Sequence, residues 1–148
     1  MRDHGGNLDQ AIKAYGQGDW IDLSTGINRR PWPALAVSTE AWRNLPTGAA
    51  QAELVTQAAA SWGVNAGAAG VALGGAQAAI QLVPRLRPKG RAAVLGPTYN
   101  EYAACLLAEG WKVETVHDLA GLPGADLAVI VNPNNPDGRQ FTTETLLA

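Results

Sequence analysis

From Val71 onward the chain repeats one arrangement: a short apolar run, a turn of Gly, Pro or Asn, then a stretch of helix formers. Val71-Ala72-Leu73 runs into Gly74-Gly75 and then a predicted helix from Ala76 to Leu86. Ala92-Ala93-Val94-Leu95 ends in Gly96-Pro97 and is followed by a helical stretch from Asn100 to Glu109, stopped by Gly110. Strands are also expected at Lys112 to Val116 and at Asp126 to Val131, where β-branched residues run into Asn132-Pro133-Asn134-Asn135-Pro136-Asp137-Gly138-Arg139. Strands alternating with helices argue for an α/β fold, because parallel strands need a crossover, usually a helix, between them.

The first 32 residues read differently, as a polar, Gly-rich arm with a helix from Leu8 to Tyr15 and a short strand at Trp20-Ile21-Asp22-Leu23. Two more helices are expected, Leu35 to Leu45 and Ala50 to Trp62, the second closed by Gly63 just past its end. Near the C-terminus Thr142-Thr143-Glu144-Thr145 looks like a helix start, with Thr capping and Glu in the first turn. Leu146-Leu147-Ala148 gives barely one turn of it, and so short a helix has little stability alone. The expectation is a chain truncated within a larger polypeptide.

Composition removes several function classes. With 148 residues, 47% of them hydrophobic and 16% charged, the chain is large enough for a core and is not disordered. A formal charge of −2 offers no general attraction to nucleic acid or an anionic membrane. The cluster Arg85, Arg87, Lys89 and Arg91 reads as a solvated helix end broken by Pro88 and Gly90. Cys105 is the single cysteine, so an internal disulfide and a Cys-rich metal site are both excluded. His4 and His117 are too scattered for a zinc site. No apolar stretch approaches the ~20 residues a membrane helix needs, and no signal peptide opens the chain, so a cytoplasmic protein is expected.

Three strand-to-helix turns could hold a ligand. At Gly74-Gly75-Ala76-Gln77 the glycines clear side chains away, and the N–H groups and dipole of the following helix favour a phosphate. Tight turns of this kind also want glycine for the fold alone. Gly-x-Gly-x-x-Gly is missing at this turn and no Gly-x-x-x-x-Gly-Lys-(Ser/Thr) occurs, which gives dinucleotide and P-loop readings weak support. In Gly96-Pro97-Thr98-Tyr99-Asn100-Glu101-Tyr102 an aromatic ring follows a strand, placed to stack on a flat heteroaromatic group. The third turn, Asn132 to Gly138, puts polar groups at the carboxyl end of a strand, where open α/β sheets bind ligands.

In order and spacing these turns resemble those of the fold-type-I enzymes that use pyridoxal 5′-phosphate (PLP), the aminotransferase superfamily. The resemblance implies an N-terminal arm and helices followed by the start of a large-domain, mostly parallel sheet, divided as 1–45 and 46–148. It implies that Gly75, Ala76 and Gln77 hold the cofactor phosphate, that Tyr99 stacks on the ring, and that Asn135 hydrogen-bonds the phenolic oxygen. His4-Gly5-Gly6-Asn7 and Asp22-Leu23-Ser24-Thr25-Gly26-Ile27-Asn28 further resemble the threonine-phosphate decarboxylases of cobalamin biosynthesis, relatives of histidinol-phosphate aminotransferases. There the positions of His4, Gly5, Asn28 and Asn135 contact the phosphorylated amino acid. The implied reaction converts L-threonine O-3-phosphate to (R)-1-amino-2-propanol O-2-phosphate and carbon dioxide, in a cytoplasmic homodimer.

The chain also departs from the pattern. Arg29 stands where the family has Pro after Asn28, and Leu45 stands where related aminotransferases have a Tyr that reaches the neighbouring subunit's cofactor phosphate. Lys13, Lys89 and Lys112 are the lysines, and none lies in the Ser-x-x-Lys context of the Schiff-base residue. No catalytic residue is therefore assigned within the chain, and residues 1–148 alone are expected to be inactive. A histidinol-phosphate-type aminotransferase and a non-catalytic α/β remnant stay open as alternatives.

Overall fold

The computed structural model describes residues 5–28, 30–33, 35–64 and 68–147. It divides into two compact units, one of Met1–Pro31 with Val83–Ala148 and the other of Trp32–Leu82. The arm of the first unit carries α1 (Leu8–Tyr15), which has the predicted bounds because both its ends are set locally. Asn7 caps it by accepting from the Gln10 N–H, and Gly16 ends it at φ +89°. The strand expected at Trp20 to Leu23 is not formed. Asp22 instead accepts from the Ser24 N–H at 2.9 Å and from its hydroxyl at 2.5 Å, a local turn that competes with any ladder.

The second unit holds α2 (Thr39–Arg43), α3 (Gly48–Trp62) and α4 (Ala76–Leu82). Helix α2 is shorter than the predicted 35–45 because Ser38 caps Ala41 and fixes the start there, while Asn44 is already extended ahead of Leu45-Pro46. Thr47 caps α3, and Gly63 ends it in the left-handed region, with the Val64 N–H reaching back to the Ala59 carbonyl at 2.9 Å. Val71 to Leu73 is not a strand. The Leu73 carbonyl accepts from the Gly75 N–H at 2.8 Å in a tight turn, and Val71 is exposed, without the paired neighbour that makes a strand. Helix α4 passes at Val83 into a 3-10 turn, since Pro84 has no N–H with which to continue the α ladder.

Returning to the first unit, β1 (Arg91–Leu95), α5 (Glu101–Ala108), β2 (Lys112–Val116), β3 (Leu127–Val129) and α6 (Thr143–Leu147) follow in order. The strands form a parallel sheet in the order β2-β1-β3, pairing Arg91 with Lys112 and Ala92 with Leu127, so the expected α/β class with helical crossover is formed. Alternate residues of the central strand serve opposite faces. Ala92 and Val94 pack with Leu106 and Trp111 on one side. Ala93 and Leu95 pack with Val116 on the other, flanked by Leu119, Leu122, Ala125, Ile130 and Phe141. Burial on both faces explains why Ala92 to Leu95 is an unbroken apolar run. Trp111 anchors the first cluster, with its indole N–H donating to the Pro84 carbonyl at 2.9 Å. Among the described residues no helix is long and apolar enough to cross a membrane, and no cluster of three metal-ligating side chains occurs.

Candidate functional site

Because β1 and β3 are parallel neighbours, the loops leaving their carboxyl ends open on the same edge of the sheet. The first loop begins at buried Gly96, whose N–H continues the ladder to the Val116 carbonyl at 2.8 Å. A Cβ there would come within 2.6 Å of the Thr115 methyl group, which accounts for glycine at this position. The second loop leaves β3 through Ile130 and Val131 and is closed at its base by Asn132. That side chain donates to the Phe141 carbonyl at 3.0 Å and accepts from the Phe141 N–H at 2.9 Å. The Gly96–Pro97, Asn132–Pro133 and Asn135–Pro136 peptide bonds are all cis.

The two adjacent asparagines of the second loop have different environments. Asn134 is 6% exposed, and its amide is fully engaged. Its Nδ2 donates to the Pro97 carbonyl at 2.9 Å and to Asp137 Oδ1 at 2.7 Å, while its Oδ1 accepts from the Thr98 hydroxyl at 2.7 Å. Its backbone also pairs within the loop, accepting from the Gly138 N–H and donating to the Arg139 carbonyl, each at 2.8 Å. Asn135 is exposed and makes no side-chain hydrogen bond among the described residues. One asparagine builds the loop, and the next is presented outward from it.

Asp137 and Arg139 complete the loop. The Arg139 N–H donates to Asp137 Oδ1 at 2.9 Å, and with the Asn134 amide it holds the Asp137 carboxyl below the usual carboxylate range. The Arg139 guanidinium lies 5.7 Å over the Phe141 ring and donates through Nη2 to the Gly96 carbonyl at 3.2 Å, a second tie between the loops. Tyr99, half-buried, meets Tyr102 edge to face with centroids 6.2 Å apart. Tyr102 thus supports the ring that the sequence placed at the site.

The remaining predicted positions lie elsewhere in the chain. Gly75 adopts φ +88° with open space around it, at the start of α4 in the second unit, and Ala76 and Gln77 form the first helical residues. In the arm, Gly5 packs so closely on the Ser24 carbonyl that a Cβ would overlap it, and the Gly6 N–H donates to Ser24 Oγ at 2.7 Å. A pocket of about 280 Å³ lies between α1 and Trp20 to Ser24. Asn28 Oδ1 accepts from the Arg30 N–H at 2.9 Å in a local turn, and its side chain is exposed. His4 falls outside the described residues. Sequence reasoning singled out neither Asn134 nor Thr98 nor Arg139. The signal was the doubled Asn inside a Pro-flanked turn, where one of the pair must satisfy the loop.

Residues 18–148 match the family model for aminotransferase class I and II. The chain belongs to that family. It is 42% identical over 149 residues to a threonine-phosphate decarboxylase of a Sinorhizobium species, an alignment covering 98% of the chain and 44% of the relative. A second threonine-phosphate decarboxylase, of Pseudomonas aeruginosa, is 39% identical over 153 residues, covering 100% of the chain and 45% of the relative. The chain thus spans less than half the length of the curated relatives it matches. Aminotransferase class I and II membership agrees with the fold-type-I resemblance seen in the three turns.

Proposed function

We propose that the protein to which these residues belong is a PLP-dependent decarboxylase. It would convert L-threonine O-3-phosphate to (R)-1-amino-2-propanol O-2-phosphate, the aminopropanol precursor of cobalamin. What carries the reading is identity of about 40% along the whole chain to threonine-phosphate decarboxylases. The paired loops of β1 and β3 support it, since they offer an aromatic face and an unengaged amide on one edge of a sheet. An exposed amide and a half-buried ring on the loops of neighbouring strands are chemically suited to a flat heteroaromatic group bearing a phenolic oxygen. PLP, the cofactor used by this family in general, supplies an electron sink for the bond broken at Cα.

The chain's own residues bind and orient. Tyr99 covers one face of the ring, and the Asn135 amide donates to the phenolic oxygen, favouring its ionised form. Gly75, Ala76 and Gln77 receive the cofactor phosphate, where glycine clears the approach and helix N–H groups favour an anion. His4, Gly5, Asn28 and Asn135 are assigned to the substrate. The Schiff-base lysine is assigned to none of Lys13, Lys89 or Lys112. A homodimer, a cytoplasmic location and the domain division at residue 45 belong to the same proposal.

Product analysis of the intact protein tests it. Carbon dioxide released from L-threonine O-3-phosphate without 2-oxoglutarate supports the decarboxylase. Dependence on 2-oxoglutarate, with an oxo product, would transfer the protein to the aminotransferase reading.

A further inference from the structure

We infer that Asn134 is a positioning residue: by tying the loop after β3 to the loop after β1, it sets the spacing between the Asn135 amide and the Tyr99 ring. This rests on the cofactor reading above. The two loops leave different strands, and nothing covalent near the site fixes one against the other. A buried amide must find partners for its donors and acceptor. Those of Asn134 lie across the gap, at the Pro97 carbonyl and the Thr98 hydroxyl, and within its own loop at Asp137. Both proposed ring contacts are the immediate chain neighbours of this lock: Tyr99 follows Thr98, and Asn135 follows Asn134. Releasing the lock loosens one loop against the other, while Tyr99 keeps its edge-to-face contact with Tyr102. Arg139 to the Gly96 carbonyl is a longer tie, at 3.2 Å and near the strand end, so it constrains the base of the first loop more than its tip. Displacements of ~1 Å at a reacting group are known to cost ~100-fold, so a lock of this kind has consequences beyond stability.

The test uses the intact protein, with PLP affinity and the visible circular dichroism of bound PLP read well below the melting midpoint. Asn134→Asp keeps the acceptor for Thr98 but loses the donors to Pro97 and Asp137 and faces Asp137 with a like charge. It is expected to weaken PLP binding at least about tenfold and to change the dichroic band, the size expected if the Asn135 bond to the phenolic oxygen is lost with the displaced loop. The swap Asn134→Asp with Asp137→Asn restores an amide–carboxylate bond in reverse and is expected to recover part of both signals. Should Asn134→Asp not fold, Thr98→Val removes one partner alone and is expected to weaken PLP by a few-fold. A folded Asn134→Asp, or in its absence a Thr98→Val, that melts earlier yet binds PLP with unchanged affinity and dichroism would overturn the inference. Wild-type protein that gives no PLP signal would instead remove the cofactor reading, and this inference with it.

Discussion

Trp111 gives the sharpest test of how the site's platform is held. It is 3% exposed, packs with Ala92, Val94 and Leu106 beneath the central strand, and donates its indole N–H to the Pro84 carbonyl at 2.9 Å. Phe in its place would fill most of the volume but supply no donor. The Pro84 carbonyl would then be left buried without its partner, at a cost of about 1–3 kcal/mol. Ala would add a cavity against strand β1, for a total of about 3–5 kcal/mol. Urea denaturation of the intact protein, followed by far-ultraviolet circular dichroism, should therefore rank wild type above Phe and Phe above Ala. PLP affinity at low temperature should stay near wild type, because Trp111 touches neither loop of the site. A Phe variant as stable as wild type would refute the claim that the indole anchors the platform to Pro84. A Phe variant as weak as Ala would refute the claim that packing contributes separately.

Asn135→Ala should change stability by no more than ~0.5 kcal/mol, since the side chain is exposed and unengaged, yet weaken PLP by about tenfold or more; parallel melting and binding curves check both. Asp137 is held below the ordinary carboxylate range, chiefly by the Arg139 N–H and then by Asn134. Its contribution is therefore present above the ordinary value and lost as pH falls through the lowered one. Protection of the Gly138 amide, taken relative to its intrinsic exchange rate, should fall on acidification below pH ~4, and Asp137→Asn should flatten that dependence. Residues 1–148 produced alone leave Trp32, Leu35, Trp42, Leu45 and Trp62 between 77% and 91% exposed. Strong binding of a hydrophobic dye and concentration-dependent association are expected, and a dye-silent, monodisperse monomer would contradict this.

What the sequence revealed depended on how locally each element is determined. Helix α1 and strand β2 have their expected bounds because caps, glycine stops and periodicity lie within the elements themselves. Val71 to Leu73 has the same residue types as β1 but did not form a strand, because a strand also needs a partner that its own residues cannot announce. The stretch 35–45 shortened to α2 because Ser38 was the effective cap, competing with helix formers on its N-terminal side. Tyr99 and Asn135 were singled out from the turns that carry them, and those turns follow two neighbouring parallel strands. Asn134 was not, since its role lies in bonds to residues 36 and 37 positions away.

The most direct test of the central claim is a PLP titration of the intact protein, read by visible circular dichroism, with Tyr99→Ala and Asn135→Ala in parallel. A saturable induced band is expected in the wild type and should be weakened or shifted in each variant. Apo Asn135→Ala should melt like wild type, and apo Tyr99→Ala earlier through the packing its half-buried ring loses, yet folded at the titration temperature. A wild-type band unaffected by both substitutions, or no band at all, would contradict it.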